Sequence, residues 1–239
     1  MREKTKVIGV YADCFDNRVG QTFPYMQFLS QFGNVRLIST LDNLDNIENE
    51  IDLLVLPGGA DVYVQTYGQA PGVMTGRGNQ HYEYLDDMLL PKFIRAGKPI
   101  VGICRGMQRL NTWFGGTLNQ HIIGHQQGGS RSSTDQEIQF VDNDGFHFVN
   151  SMHHQSVDKL GDDLEVIAYS EVYEGCYSNL DSVRPWRKYD KKGIVLATEM
   201  AATTVEIFKH TMLPIWGFQY HPEEFNCEVA RNVINDLLN

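Results

Sequence analysis

Gly102, Cys104 and Gly106 stand in the stretch "VGICRGMQ" as G-x-C-x-G, with a thiol where a run of β-formers meets a helical pattern. This is the spacing of a nucleophile elbow, with sulfur in place of a hydroxyl oxygen. A side chain on such a strand-to-helix turn stands above the sheet edge, and its flanking residues approach neighbouring backbone so closely that only small ones fit. The helix that starts at Arg105 turns its free N–H groups and positive dipole end toward the sulfur, which favours the nucleophilic thiolate. The chemistry this suits is covalent acyl transfer. A lone buried cysteine is ordinarily a packing residue. Here the strand, both glycines and the helix agree on a nucleophile.

A thiol nucleophile needs a base, and the base needs an orienting group. His221 follows the apolar run "PIWGFQY", which places it at a strand's end, on the edge where parallel sheets carry their sites. Glu223, just past Pro222, can accept the Nδ1–H bond that sets the imidazole tautomer. Acyl transfer also needs two N–H donors aimed at the developing oxyanion. The Arg105 backbone can give one. "LLVLPGG" ends another strand in a double glycine, so Gly59, or failing it Gly58, can give the other with no side chain in the way.

The elements needed to position these residues appear in βαβ order. "KVIGVY" has the pattern of a buried strand, "TFPYMQFLSQFG" of a helix ending at Gly33, and "VRLIS" of a second strand. "LDNLDNIENE" predicts a short polar helix and "IDLLVLPGG" a third strand. "YEYLDDMLLPKFIRAG" has helical spacing, with Pro91 expected to kink or split it. "KPIVGIC" and "GMQRLNTWFGG" supply the elbow's own strand and helix. Continuous apolar strands separated by helices predict a parallel sheet covered on both faces.

The second half differs. "GHQQGGSRSSTDQ" has loop composition, and "EIQFV", "FHFVNS" and "LEVIAYS" alternate as strands of a smaller, partly antiparallel sheet. Residues 170–193 follow no regular period. "PIWGFQY" is a last buried strand and "NCEVARNVINDLLN" an amphipathic helix. No repeat or linker divides the chain, so residues 1–239 are expected to form one domain.

Composition narrows the class. A chain of 239 residues with a 42% hydrophobic share can bury a core without staples, and a formal charge of -10 argues against a nucleic-acid partner. The polar N-terminal flank and the absence of eighteen consecutive apolar residues speak for a first strand, not a signal peptide, and against a membrane span. Cys14, Cys104, Cys176 and Cys227 show no C-x-x-C pair, which suits a reducing cytoplasm. His121 and His125 are spaced H-x-x-x-H, but Gly124 lies between them and no acidic ligand matches, so a loop anchor is expected and neither metal nor cofactor. Oligomeric state stays open between monomer and homodimer.

"VLPGGADV", "GICRGMQRLN" with "FGGTLNQ", "VNSMHHQSV" and "GFQYHPEE", in that order, resemble the class I glutamine amidotransferase superfamily, and within it the γ-glutamyl hydrolases of peptidase family C26. The resemblance runs from about Val7 to the C-terminal helix. It implies a flavodoxin-like α/β fold, with a mostly parallel central sheet, helices on both faces and a small, partly antiparallel sheet. It also implies Cys104, His221 and Glu223 as nucleophile, base and orienter. Gln108, His153, His154 and Gln155 fall where the superfamily holds the α-amino and α-carboxylate groups of a glutamyl substrate. Two stretches depart from the pattern. Asn79 and Gln80 stand where relatives of this branch carry an Arg-Asp pair, and the segment after Ser170 is longer than usual, with Tyr173, Tyr177 and Trp186 as a prospective wall over the leaving group.

The resemblance therefore implies a hydrolase that attacks the γ-carbonyl of a small γ-glutamyl amide and releases glutamate and an amine through a thioester. The alternative is a glutaminase subunit that passes ammonia from glutamine to a separate synthase partner. A non-catalytic elbow protein of the PfpI kind would carry histidine directly after the cysteine, where Arg105 stands.

Overall fold

The computed structural model describes residues 5–15, 18–122, 125, 130–142, 145–172, 186–189, 195–199 and 202–239, with the side chains of 14–19 and 171–202 outside the description. The first half runs β1 (Val7–Tyr11), β2 (Asp13–Phe15), β3 (Arg18–Gly20), α1 (Phe23–Leu29), β4 (Asn34–Ile38), β5 (Leu53–Leu56), α2 (Gln80–Arg95), β6 (Ile100–Ile103) and α3 (Arg105–Trp113). The second half runs β7 (Thr117–Asn119), β8 (Gln136–Phe140), β9 (Phe146–Val149), β10 (Ser156–Lys159), β11 (Leu164–Val172), β12 (Trp186–Tyr189), β13 (Val195–Glu199), β14 (Ala202–His210), β15 (Ile215–Phe218) and α4 (Glu228–Leu238).

The fold is α/β, as the alternation predicted. A nine-stranded sheet has the order β4-β1-β5-β6-β15-β14-β11-β8-β9, and small antiparallel two-stranded sheets stand beside it. From β4 to β15 all pairings are parallel, whereas β14, β11, β8 and β9 continue the sheet antiparallel. The period-2 alternation of the parallel strands feeds two cores. Leu54, Leu56 and Ile100 pack with Leu85, Leu89 and Phe93 of α2 and with Met107 and Leu110 of α3. Ile8, Val10, Leu53 and Val55 pack on the opposite face with Phe28 of α1 and Ile234 of α4. Burial on both faces is why these strands are unbroken apolar runs. Among the described residues no helix is long and apolar enough to cross a membrane.

Several boundaries differ from the pattern. Helix α1 stops at Leu29, because a Cβ at Gly33 would meet the Lys6 carbonyl and Asn34 already donates to that oxygen at 2.9 Å. "LDNLDNIENE" forms only a 3-10 turn, Ile47–Asn49, with Asn46 before it in the left-handed region at φ 56. Helix α2 is not split at Pro91, since Leu89, Leu90 and Phe93 on either side are fully buried and hold it to the sheet. The Asn79 side chain caps α2 by accepting from the His81 and Tyr82 N–H groups at 3.0 and 3.4 Å. β14 was not evident in the sequence. It joins the antiparallel strands to the parallel core, and Glu206 in its middle, a carboxylate with no exposed surface, interrupts the apolar signal.

Candidate active site

The elbow is built as its spacing demands. Cys104 follows β6 directly, takes φ 51 and ψ −107, and starts α3 with the Gln108 N–H donating to its carbonyl at 3.1 Å. A non-glycine residue in that region of backbone space is strained and must be held by its surroundings. Its own N–H donates to the Phe218 carbonyl of β15 at 2.7 Å. The two glycines explain themselves by approach. A Cβ at Gly102 would lie 2.5 Å from the Gly106 carbonyl carbon, and one at Gly106 would strike the Leu56 carbonyl of β5.

His221 follows β15, hydrogen-bonded beside β6, so the parallel register puts the histidine next to the elbow. Its Nδ1–H donates to Glu223 Oε1 at 2.7 Å, and its other side hydrogen-bonds Cys104. Burial alone would lower its pKa; the Cys104 and Glu223 charges outweigh this and lift it to about 10. The imidazolium is thus stable in the site across neutral pH. Because the folded-state pKa lies above the ordinary 6.5, the group stabilises the fold fully below pH 6.5, and that contribution disappears as pH rises through about 10. The stability gap between the parent and His221→Gln, read from denaturant melts, is therefore expected to narrow over that window. A gap that widens with pH would overturn this.

Two supports were not legible in the sequence. Asn150 is fully buried and brackets the His221 backbone, accepting from its N–H at 2.8 Å and donating to its carbonyl at 3.1 Å. Tyr25 of α1 links the parts of the site. Its hydroxyl accepts from the Gly58 N–H at 2.8 Å and hydrogen-bonds Glu223. Burial, with the Glu223 charge, pushes Tyr25 well above the ordinary tyrosine range, so the phenol stays a neutral donor. Tyr25→Phe removes one hydrogen bond from the carboxylate that orients His221. A net loss of about 1 kcal/mol per such bond translates to a roughly fivefold drop in kcat. KM is expected to stay constant in steady-state kinetics, and a change in KM alone would contradict this role.

Gly58 lies between the reacting groups: a Cβ there would meet His221 Cε1 at 2.6 Å and Cys104 Cβ at 3.4 Å. Its N–H is already spent on Tyr25. The Gly59 N–H, at an exposed position, has no partner among the described residues, which makes it the better placed of the two glycines to face an oxyanion. Arg105 brings its backbone N–H as the first residue of α3, while its guanidinium is 1% exposed and turned the other way. There it contacts Glu83 at 2.8 Å and Asp86 at 2.6 Å on α2, and Arg109 joins through Asp86 at 3.3 Å and Asp87 at 2.8 Å. Burial works against the Arg105 charge, but Asp86 and Glu83 raise its pKa further still. This buried ionic cluster clamps the start of α3 to α2.

The residues expected to meet substrate lie in one neighbourhood but face different ways. Gln108 is buried, its Nε2 donating to the Gln155 carbonyl at 3.1 Å and to Gln219 Oε1 at 3.2 Å. Gln155 donates to Gln120 at 3.1 Å and leaves its Oε1 buried without a hydrogen-bond partner. His154 is partly exposed, 3.0 Å from Asp61 Oδ1, and that hydrogen bond is the main cause of its raised pKa. Its other nitrogen lies 3.3 Å from His121 Nδ1. His153 turns inward instead, toward His125 and Glu206. His121 and His125 therefore belong to different clusters. Tyr173 and Tyr177 lie outside the described residues, as does the side chain of Trp186.

A strained cysteine elbow on a parallel sheet, with His-x-Glu after the adjacent strand, defines the class I glutamine amidotransferase-like superfamily. Within it, the chain belongs to the Peptidase C26 family, whose model matches residues 22–176. The glutamine amidotransferase-like protein YvdE of Lactococcus lactis is 34% identical over 61% of this chain and 68% of its own length. The carbamoyl phosphate synthase small chain of Parasynechococcus marenigrum is 27% identical over 87% of this chain and 46% of its own. Among solved structures, a Thermoplasma acidophilum protein described as a GMP synthase subunit matches with a TM-score of 0.55 at 20% identity, covering 99% of this chain and 94% of that one. A likeness at that identity shows the fold. Family membership makes the protein an amide hydrolase of the glutamine amidotransferase kind.

Proposed function

We propose that the protein is a cysteine-dependent hydrolase that cleaves the γ-glutamyl amide bond of a small γ-glutamyl compound through a thioester. The observation that carries this reading is Cys104 held at φ 51 on the elbow and hydrogen-bonded to a His221 that Glu223 orients. The Cys104 thiolate attacks the γ-carbonyl while the N–H groups of Gly59 and Arg105 hold the oxyanion. His221 protonates the departing amine, then activates the water that releases glutamate. Gln108, Gln155 and His154 flank the glutamyl end.

A second reading is favoured by one observation, the match of a carbamoyl phosphate synthase small chain along 87% of this chain. In that reading the same site hydrolyses glutamine and the ammonia goes to a separate synthase subunit. Glutamate release from a panel of γ-glutamyl amides, γ-glutamyl peptides and glutamine separates the two. Turnover of the amides by the purified protein supports the hydrolase. Turnover of glutamine alone, and only once cell extract is added, supports the partnered glutaminase and removes the first reading.

A further inference from the structure

Glu206 of β14, His125 and His153 converge in the interior, each side chain 1% exposed. His125 Nδ1 and His153 Nε2 each lie 3.8 Å from Glu206 Oε1, and three ligand atoms, one per residue, fall within 4.8 Å of one another. The His125 and His153 rings are 4.6 Å apart. None of the three belongs to the thiol machinery.

The hydrogen bonds around the cluster define its chemistry. His153 Nδ1 is 2.8 Å from the Gln155 carbonyl oxygen, and a carbonyl can only accept, so the ring proton sits on Nδ1. Nε2 is then a bare lone pair aimed at a carboxylate, and it has no hydrogen-bond partner among the described residues. Glu206 Oε2 has none either, while Oε1 accepts from the Ser170 hydroxyl at 2.7 Å. Two buried polar atoms without a hydrogen-bond partner are costly in a dry interior, and nothing cationic among the described residues lies between them; a divalent cation would take both as ligands.

We propose that His125, His153 and Glu206 form a buried binding site for a zinc-class divalent metal, tying β14 to the segment that presents His154. Two imidazoles and a carboxylate are a donor set for borderline first-row ions, zinc foremost. Ligands at about 2.1 Å from a tetrahedral ion stand roughly 3.4 Å apart, so the two 3.8 Å spans to Glu206 need a few tenths of an ångström of contraction, while the span between the histidines, within 4.8 Å, can need more. The supporting shell has the form that metal-bound histidine takes, with the far ring nitrogen donating to a backbone carbonyl. Ser151 Oγ donates to the His125 carbonyl at 2.9 Å and so accepts from His125 Nδ1 at 3.1 Å, a proton that metal binding at Nδ1 would release. The ligands come from three separate stretches of chain, so the ion acts as a cross-link and not as a reagent.

Zinc retention tests the site. Tag-free Cys104→Ala protein, which cannot hold the ion on the elbow thiol, is loaded with zinc sulfate, passed through gel filtration and assayed for metal. Retention of about one ion per chain is expected, falling at least tenfold in Glu206→Gln and His153→Gln, because each removes one of only three ligands. His121→Ala, which alters the neighbouring pair, is expected to retain the ion. No retained zinc in the Cys104→Ala protein, or equal retention in Glu206→Gln, overturns the proposal. If the ligand variants do not fold, cobalt(II) loading of the Cys104→Ala protein decides. Tetrahedral d–d bands without thiolate charge transfer support the site, and their absence, or a thiolate band, overturns it.

Discussion

Cys104→Ala is expected to lower glutamate release from any accepted γ-glutamyl substrate by about 10⁴- to 10⁶-fold, the usual cost of removing a nucleophile whose partners act as one unit. Substrate affinity should change little, since the sulfur contributes to the transition state and not to the grip on the glutamyl end. The fold should tolerate the change, because alanine at φ 51 carries no more strain than cysteine, although the share of the His221 stabilisation that comes from Cys104 is lost. His221→Ala combined with Cys104→Ala should cost little beyond either alone. Nearly multiplicative effects would mean that the two residues work independently, and the proposed mechanism would fall.

Asp86→Ala is expected to be the most destabilising single substitution near the site, costing about 3 kcal/mol in denaturant unfolding, because it takes a shared carboxylate from two buried guanidiniums and leaves Arg105 with Glu83 and Arg109 with Asp87 as their nearest partners. Asp86 has no exposed surface and lies 2.6 Å from Arg105 and 3.3 Å from Arg109. Its own pKa is raised by burial, and the two arginines offset that only in part, so the carboxylate has charged partners but an expensive setting. Replacing both charges, as in Asp86→Leu with Arg105→Met, should not recover the loss, since it leaves the buried Glu83 carboxylate with Arg109 at 3.9 Å as its only cationic partner among the described residues. A loss under about 1 kcal/mol for Asp86→Ala, typical of exposed pairs, would show that α3 is not anchored through this cluster.

The parts of the site that were legible in the sequence share one property: their chemistry depends on neighbours within a few residues. Gly102 and Gly106 report close backbone approach, His221 reports the end of an apolar run, and Glu223 reports reach across Pro222. β14 escaped notice because Glu206, buried for reasons that lie elsewhere in the fold, breaks its apolar pattern. The "FHFVNS" and "LEVIAYS" strands were evident, but not that β14 would stitch them onto the parallel sheet.

Tyr25, Asn150 and the Glu83–Asp86–Arg105 cluster had no local signal at all. Tyr25 sits 33 residues from Gly58, Asn150 71 from His221, and Glu83 22 from Arg105. An apolar helix predicts a buried tyrosine equally well whether or not its hydroxyl finds a carboxylate. The sequence by itself determined the elbow, the histidine and carboxylate after the last strand, and the parallel α/β frame, because strand and helix periodicity and steric room are short-range properties. Only the tertiary structure decided what holds them in register and where His125 and His153 turn. Long-range partners are chosen by packing and desolvation once the sheet has closed, and no spacing along the chain encodes that.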